Sequence, residues 1–173
     1  MPIPEFITAL RSRVGTDLLW LTGVTAIVLH EVDGREHLLL GRRADTGEWA
    51  AVYGILEPGE QPAVAALREV VEETGVRARI VGLASVTSGR DVVVYPNGDR
   101  AQYLDLTFLC VPDLAADPDP VAAARVGDDE SLAVGWFPLD ALPSPLCTST
   151  VERLGRALDF RADPGAGPYF VRP

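Results

Sequence analysis

Apolar positions along the chain follow two spacings, one typical of helices and one typical of strands. Across residues 4–14 they recur every three or four positions, which predicts a short amphipathic helix. Residues 23–30 instead form a continuous, β-branched apolar run of strand length, which predicts a central strand. The apolar patch between these elements, residues 18–21 with Trp20, is predicted to dock on the domain.

Turn signals divide much of the remaining chain into short strands. Asp33 with Gly34, and residues 96–99 (Pro-Asn-Gly-Asp), each predict a tight hairpin turn. Strands are predicted beside these turns and wherever short apolar runs recur farther along the chain: 37–43, 49–53, 78–88, 91–95, 100–111 and 132–137.

Two longer helices complete the pattern. Pro62 suits the first turn of a helix, where its missing N–H loses no hydrogen bond, and Gly75 suits a left-handed helix end. Residues 62–74 are therefore predicted as a helix, and residues 148–160 as another near the C-terminus. With strands on both sides of the first of these helices, the predicted class is α/β or α+β with a mixed sheet.

The length and composition predict one ordinary domain, since 47% of the 173 residues are hydrophobic and can build a sizeable core. We expect three parts: an N-terminal helical extension over residues 1–21 packed on the domain, a main domain over 22–160, and a tail over 161–173. The Ala-, Asp- and Pro-rich segment 115–127 is predicted as a loop. In the tail, residues 169–171 are expected to dock on the domain or on a partner subunit.

The net charge of the chain excludes some classes of binding partner. A formal net charge of −10 and a pI near 4.6 argue against non-specific binding to nucleic acid or membranes, both of which need basic surface. No apolar run reaches the ~18 residues that a membrane span requires, and the N-terminus lacks the pattern of a signal peptide. We therefore expect a cytoplasmic protein in which Cys110 and Cys147 are free thiols.

An acidic cluster is the strongest chemical signal in the chain. On a helix, Glu69, Glu72 and Glu73 lie three and four residues apart, so they project along one edge and repel one another. Arg68 can pair with Glu72 but cannot neutralise all three carboxylates. A solvated acidic face is one interpretation; the other is a site for Mg²⁺ or Mn²⁺, which prefer clustered carboxylate oxygens. Such an ion would also let an acidic protein hold a small phosphorylated substrate.

The surrounding sequence, GILEPGEQPAVAALREVVEETGV at residues 54–76, resembles the Nudix box of the Nudix hydrolase family. That box has a glycine, a glutamate after five residues and, after seven more, Arg-Glu, an aliphatic residue, any residue, Glu-Glu, any residue, glycine and an aliphatic residue. Every fixed position is filled here: Gly54, Glu60, Arg68, Glu69, Val70, Glu72, Glu73, Gly75 and Val76. The flanking segments LLLGRR and WFPLDALP are similar to the corresponding Nudix strand and short helix, and the similarity extends over most of residues 22–145.

The resemblance implies a fold and an activity. Nudix proteins have an α/β/α sandwich with a mixed β-sheet, and the enzymes hydrolyse nucleoside diphosphates linked to another moiety. We therefore expect Mg²⁺-dependent cleavage, with Mn²⁺ as a substitute, of a phosphoanhydride bond in a small nucleotide such as a nucleotide sugar, ADP-ribose or an NTP. The alternative is a catalytically silent nucleotide-binding regulatory module of the same fold. The complete carboxylate set favours the enzyme, and a homodimer stays open for either.

The resemblance also implies a role for each polar position of the box. Glu69, Glu72 and Glu73 correspond to the metal ligands. Glu60 and Arg68 correspond to the pair that braces the loop against the helix.

The start of the box departs from the family pattern. Many Nudix boxes begin with Pro-Gly-Gly, whereas here Val52 and Tyr53 precede Gly54. Gly54 would let the backbone approach metal or phosphate closely. Tyr53, which replaces the first glycine, is expected to alter the shape of the metal-side loop and to bear on the substrate class.

The general base has several candidates. In the box these are Glu69, Glu72 and Glu73, which would also bind metal. Outside it, the acidic segment 128–130 lies ahead of the last predicted strand, and Glu130 is the preferred single candidate. A solvated acidic loop is the other interpretation of that segment.

Four residues are candidates for substrate binding, and each also has a structural interpretation. Arg42 and Arg43 end a strand that should border the site, where they would contact phosphate or form surface ion pairs. Tyr53 and Tyr103 would stack on a base or belong to the core or its rim. The hairpin at 95–103 would serve as a lid or as a dimer contact.

Overall fold

The computed structural model describes residues 4–172, so predicted features at residues 1–3 and at residue 173 lie outside the described residues. Helices and strands follow in this order: α1 (Glu5–Val14), β1 (Leu18–Val32), β2 (Arg35–Arg43), β3 (Trp49–Ala50), β4 (Val52–Ile55), α2 (Pro62–Thr74), β5 (Ala78–Ser88), β6 (Val93–Val94), β7 (Arg100–Pro112), α3 (Pro120–Ala123), β8 (Ser131–Pro138) and α4 (Thr148–Ala162). A 3₁₀ turn, Pro164–Ala166, follows α4. None of the helices in the described range has the length and apolar character needed to cross a membrane. Cys110 and Cys147 are free thiols, as predicted.

One mixed β-sheet organises the molecule, with β1 at its centre. β1 runs parallel to β7, from Leu18 opposite Arg100 to Val28 opposite Cys110. It also pairs antiparallel with β2 and with β4, while β5 pairs antiparallel with β7. The main strand order is β3-β2-β1-β7-β5, with β8 paired to β2 and β6 to β7. The predicted mixed sheet is therefore confirmed.

Successive residues of β1 point to opposite faces of the sheet, and each face packs against a helix. Val24 and Val28 belong to the cluster that includes Val70 of α2. Ile27 belongs to the cluster that includes Leu154 of α4. The α/β/α sandwich implied by the resemblance is confirmed, and the sheet separates the α2 face from the α4 face.

Helix α1 covers the first part of the sheet on the α4 face, towards which the odd-numbered residues of β1 point. Ile7 is buried against Leu21 of β1 and Ala101 of β7. Arg11 fastens the helix by donating from Nη2 to the carbonyl oxygen of Arg100 at 2.7 Å. The start of β7 is thereby tied to α1.

Two local predictions are wrong. Residues 18–21 are not a separate docking patch, because they are the first residues of β1 and pair with residues 100–103 of β7. That partner is far along the chain, so no local pattern reveals it. The short helix expected in WFPLDALP does not form in the described structure, where the Ala141 N–H donates to the Pro138 carbonyl oxygen and closes a turn. The prolines at 143 and 145 oppose helical continuation.

Two further segments differ in detail from their predictions. The strand predicted at 49–53 is divided into β3, which pairs with β2, and β4, which pairs with β1. Between them the Ala51 N–H donates to Thr150 Oγ1 of α4 at 3.0 Å, so it leaves the sheet ladder. The loop predicted at 115–127 contains α3, whose first turn is capped by Asp119.

The C-terminal tail docks on its own domain. The Tyr169 N–H donates to the Ala84 carbonyl oxygen at 2.8 Å, and the Val86 N–H donates to the Tyr169 carbonyl oxygen at 2.9 Å. The guanidinium of Arg156 lies 3.6 Å from the centre of the Tyr169 ring. The tail thus extends the sheet at the outer edge of β5.

Candidate active site

Helix α2 carries the acidic residues and is bounded by the two signals found in the sequence. Pro62 occupies its first turn, and Gly75 ends it in the left-handed conformation with a φ of 70°. Its buried positions are small or apolar except for one carboxylate and one hydroxyl: Ala65, Ala66, Glu69, Val70 and Thr74. One of the three clustered glutamates is therefore turned towards the sheet instead of towards solvent.

Glu69 packs against Gly54, the glycine that begins the box. The residue is 0% exposed. A Cβ atom at Gly54 would lie 2.1 Å from Glu69 Oε1 and 2.2 Å from Glu69 Cδ, far inside van der Waals contact. The need for glycine here is steric, because any side chain would occupy the volume of the Glu69 carboxylate.

We expect Gly54→Ala to displace the Glu69 carboxylate. Overpacking at this contact should lower the free energy of unfolding by about 1–3 kcal/mol. Activity should fall by about tenfold to a hundredfold, because a misplaced catalytic group loses rate steeply. Urea unfolding and a nucleotide hydrolysis assay measure the two effects. The matched control is Gly155→Ala, where an added Cβ meets no atom within 4 Å; equal activity of the two variants would contradict the steric role of Gly54.

Arg68 contacts three carboxylates. Its Nε and Nη2 donate to the two oxygens of Glu60 at 2.9 and 3.0 Å, in a bidentate pair. Its Nη1 donates to Glu69 Oε1 at 2.9 Å and to Glu72 Oε2 at 3.0 Å. These contacts raise the pKa of the guanidinium, and the hydrogen bond from Arg68 lowers the pKa of Glu60. The Glu60 contact is the one that the resemblance implies for the bracing pair.

Two carboxyl groups on this helix edge lie where their charged form is disfavoured. Burial raises the pKa of Glu69 to about 7, although Arg68 acts in the opposite direction. Burial, followed by repulsion from Glu69 and Asp128, raises the pKa of Glu73 to about 8. In addition, Glu69 Oε2 is buried and has no hydrogen-bond partner among the described residues. Such an atom is unfavourable unless a proton or a cation joins it.

These features fit a hard divalent cation, which prefers carboxylate oxygens and shares its remaining positions with water and phosphate. The carboxylates that could hold such an ion are those of Glu69, Glu72 and Glu73. Gly54 leaves the space that the Glu69 carboxylate occupies. Within residues 4–172, no group of three or more His, Cys, Asp or Glu side chains is already arranged to hold a metal ion.

The two arginines at the end of β2 have different surroundings. Arg43 donates to Asp45 at 2.9 and 2.6 Å, and its charge acts on Glu73 to lower the pKa of that group. Arg42 is exposed and donates to the Gly47 carbonyl oxygen at 3.1 Å. Of the two arginines, Arg43 therefore lies at the acidic edge. It also forms an ion pair with Asp45, which is the alternative to phosphate contact that the sequence predicts.

The acidic segment 128–130 lies at the C-terminal end of α2. The Gly127 N–H donates to the Glu73 carbonyl oxygen at 3.0 Å, and the Ala44 N–H donates to the Glu130 carbonyl oxygen at 2.7 Å. Asp128 is close enough to raise the pKa of Glu73. The fold thus brings the candidate base Glu130 to the same end of the helix as Glu73.

The two candidate stacking tyrosines lie on the α4 face, away from the acidic edge. The Tyr53 hydroxyl is 3.1 Å from Ser149 Oγ, and the Arg153 guanidinium lies 4.8 Å from the centre of its ring. Tyr103 shares a 2.6 Å hydrogen bond with the Tyr95 hydroxyl and packs in the α1 cluster. Tyr53 therefore ties the strand ahead of the box to α4.

Sequence reasoning missed a buried polar network beside Tyr53. Asp105 of β7 is 5% exposed and accepts hydrogen bonds from Thr25 Oγ1 and Thr107 Oγ1, both at 2.7 Å, and from Arg153 Nε at 3.1 Å. The available signal was a carboxylate inside the apolar run LDLTF. Because Arg153 also stacks on Tyr53, this network couples α4 to the strand that leads into Gly54.

Comparisons with known proteins agree with this arrangement. The family model described as NUDIX domain matches residues 21–157. A MutT-like protein of Streptomyces ambofaciens is 35% identical over 146 residues, which cover 84% of this chain and 79% of that protein. The 8-oxo-dGDP phosphatase NUDT18 of Mus musculus is 32% identical over 131 residues, which cover 76% of this chain but 36% of that protein. This chain therefore spans about a third of the length of the mouse protein.

Solved structures show the same likeness. The crystal structure of a MutT NUDIX hydrolase from Burkholderia pseudomallei superposes with a TM-score of 0.61 at 26% identity. The match covers 80% of this chain and 98% of that one. The likeness extends from the box to most of the fold.

Proposed function

Since this chain belongs to the NUDIX family and is a pyrophosphohydrolase, we propose that it hydrolyses a phosphoanhydride bond in a nucleoside diphosphate-linked substrate, with Mg²⁺ as cofactor and Mn²⁺ as a substitute. The burial of Glu69 carries the proposal. A solvated acidic face would leave this carboxylate in water, whereas it is 0% exposed and one of its oxygens has no partner among the described residues. A cation site explains both facts.

The cation would be held by Glu69, Glu72 and Glu73. When bound, it would neutralise phosphate charge and lower the pKa of the attacking water. Arg68 restrains two of these carboxylates through hydrogen bonds of 2.9 and 3.0 Å, and Glu60 fixes Arg68 in turn. The brace thus limits the freedom of the ligands before substrate arrives.

Proton removal and phosphate binding are assigned to residues around the end of α2. Glu130 is the proposed base, supported by the attachment of its segment to Glu73 and to Ala44. Glu69 and Glu73 are alternatives, since pKa values of about 7 and 8 suit a base that works near neutral pH. Arg43 would contact a substrate phosphate in exchange for Asp45, its present partner.

The substrate is proposed to be a small nucleotide: a nucleotide sugar, ADP-ribose or an NTP. The likeness to an 8-oxo-dGDP phosphatase adds oxidised guanine nucleotides to that set. Tyr53 stands at the position next to Gly54 but is held by α4, so we assign it a role in fixing the strand instead of in stacking on the base.

A nucleotide panel tests this function. Product release would be measured for each class with Mg²⁺, with Mn²⁺ and with EDTA. We expect turnover of at least one member that depends on either metal ion and stops in EDTA. Tight nucleotide binding without metal-dependent turnover of any member would contradict the proposal and favour the regulatory module.

A further inference from the structure

The loop between α3 and β8 is attached to the C-terminal end of α2 by main-chain hydrogen bonds. The Arg125 N–H donates to the Thr74 carbonyl oxygen at 2.9 Å, and the Gly127 N–H donates to the Glu73 carbonyl oxygen at 3.0 Å. The last four carbonyl groups of a helix have no partner within the helix itself. A segment far along the chain therefore supplies the cap that two of them need.

Gly127 is the residue that permits this approach. A Cβ atom there would lie 1.9 Å from the carbonyl oxygen of Glu72 and 2.9 Å from its carbonyl carbon. Both are main-chain atoms of a packed helix, which cannot move aside as the end of a flexible side chain can. Any side chain at position 127 would push the loop away from the helix.

The acidic segment 128–130, which follows Gly127, is also attached to the residue that follows β2. The Ala44 N–H donates to the Glu130 carbonyl oxygen at 2.7 Å, immediately after the end of β2. The segment 127–130 thus bridges the helix that carries Glu73 and the strand that carries Arg43. Both attachments use main-chain atoms, so they do not depend on the side chains of Asp128 and Glu130.

We propose that Gly127 is a positioning residue, which by lacking a side chain lets the acidic segment 128–130 sit on the end of α2 within reach of the reaction centre. The inference rests on the proposed function and adds to it a residue outside the Nudix box.

Kinetics of Gly127→Ala test the proposal. We expect kcat to fall by about tenfold to a hundredfold, because the displaced segment loses its position. KM for the nucleotide and the half-saturating Mg²⁺ concentration should change by less than about twofold, because the residues of the box stay in place. Gly155→Ala on α4 is the matched control and should keep the kcat of the parent protein. A loss confined to KM, or a normal kcat in Gly127→Ala, would overturn the proposal.

A double-mutant cycle separates positioning from general destabilisation. The background is the variant that carries both Asp128→Asn and Glu130→Gln. If Gly127 acts through the acidic segment, adding Gly127→Ala to this background should lower kcat by no more than about twofold. If Gly127→Ala instead lowers kcat by the same factor in this background as in the parent protein, Gly127 acts independently of the acidic segment. That result would overturn the proposal.

Amide hydrogen exchange tests the attachment without any assay of activity. In the unmodified protein, the amides of Arg125 and Gly127 should exchange much more slowly than that of the exposed Gly59. Fast exchange at both would overturn the proposal even if Gly127→Ala failed to fold. Slow exchange together with an inactive nucleotide panel would count against the proposed function alone.

Discussion

Glu73→Gln is expected to lower kcat/KM by about 10²- to 10⁴-fold while making the metal-free protein more stable. Glutamine keeps the size of the side chain but removes the charge that a divalent cation needs. The same change relieves the folded state of a carboxyl group whose pKa burial raises to about 8. Activity and stability should therefore move in opposite directions, which a variant that merely unfolds cannot produce.

Steady-state kinetics at saturating Mg²⁺ and thermal unfolding in EDTA measure the two effects near pH 8. Glu152→Gln, an exposed glutamate on α4, is the control and should shift the free energy of unfolding by less than about 0.5 kcal/mol. Glu72→Gln should lose activity without gaining stability, because it removes an ion pair with Arg68. Full activity of Glu73→Gln would remove that residue from the ligand set.

The different effects on stability that we expect for Glu72→Gln and Glu73→Gln mark the limit of what the sequence predicts. Helical spacing places both on one edge with Glu69, and the resemblance gives all three the same role. The spacing of the three glutamates does not show, however, which of them is buried. The contact with Gly54 that buries Glu69 joins α2 to a strand, and only the packed fold sets that distance.

Long-range pairing limited the fold prediction in the same way. Turns and helix ends depend on single residues, so Pro62 and Gly75 were enough to bound α2. The first residues of β1 have no such signal, because their partner is the start of β7. The same holds for Asp105, whose charge is compensated by Arg153 from α4, and for Gly127, whose neighbour is the main chain of α2.

The free energy of unfolding of the metal-free protein should rise as the pH is lowered from about 8 to about 5. Both Glu69 and Glu73 have pKa values in the folded state, about 7 and about 8, that lie above the ordinary value of 4.5. Between these limits the folded protein binds protons that the unfolded chain does not, so stability is gained on acidification and lost as the pH rises. The change should be on the order of 2–4 kcal/mol, since one pKa unit corresponds to about 1.4 kcal/mol and the two groups are coupled.

Saturating Mg²⁺ should remove most of this dependence, because the ion binds the ionised carboxylates of the folded state and stabilises it most at high pH. Urea unfolding between about pH 5 and about pH 8, in EDTA and in Mg²⁺, measures how the free energy of unfolding changes with pH in each condition. The variant with Glu69→Gln and Glu73→Gln should show little slope in either condition, which separates these groups from the general effect of a net charge of −10. Asp45 and Glu60, whose pKa values are lowered, act with the opposite sign. Their contribution is lost as the pH falls through their ordinary pKa values of 3.8 and 4.5, which lie below this range. A stability in EDTA that stays flat or rises with pH would mean that the two carboxylates are not strained by burial, and the strongest physical reason for a cation at this edge would be lost.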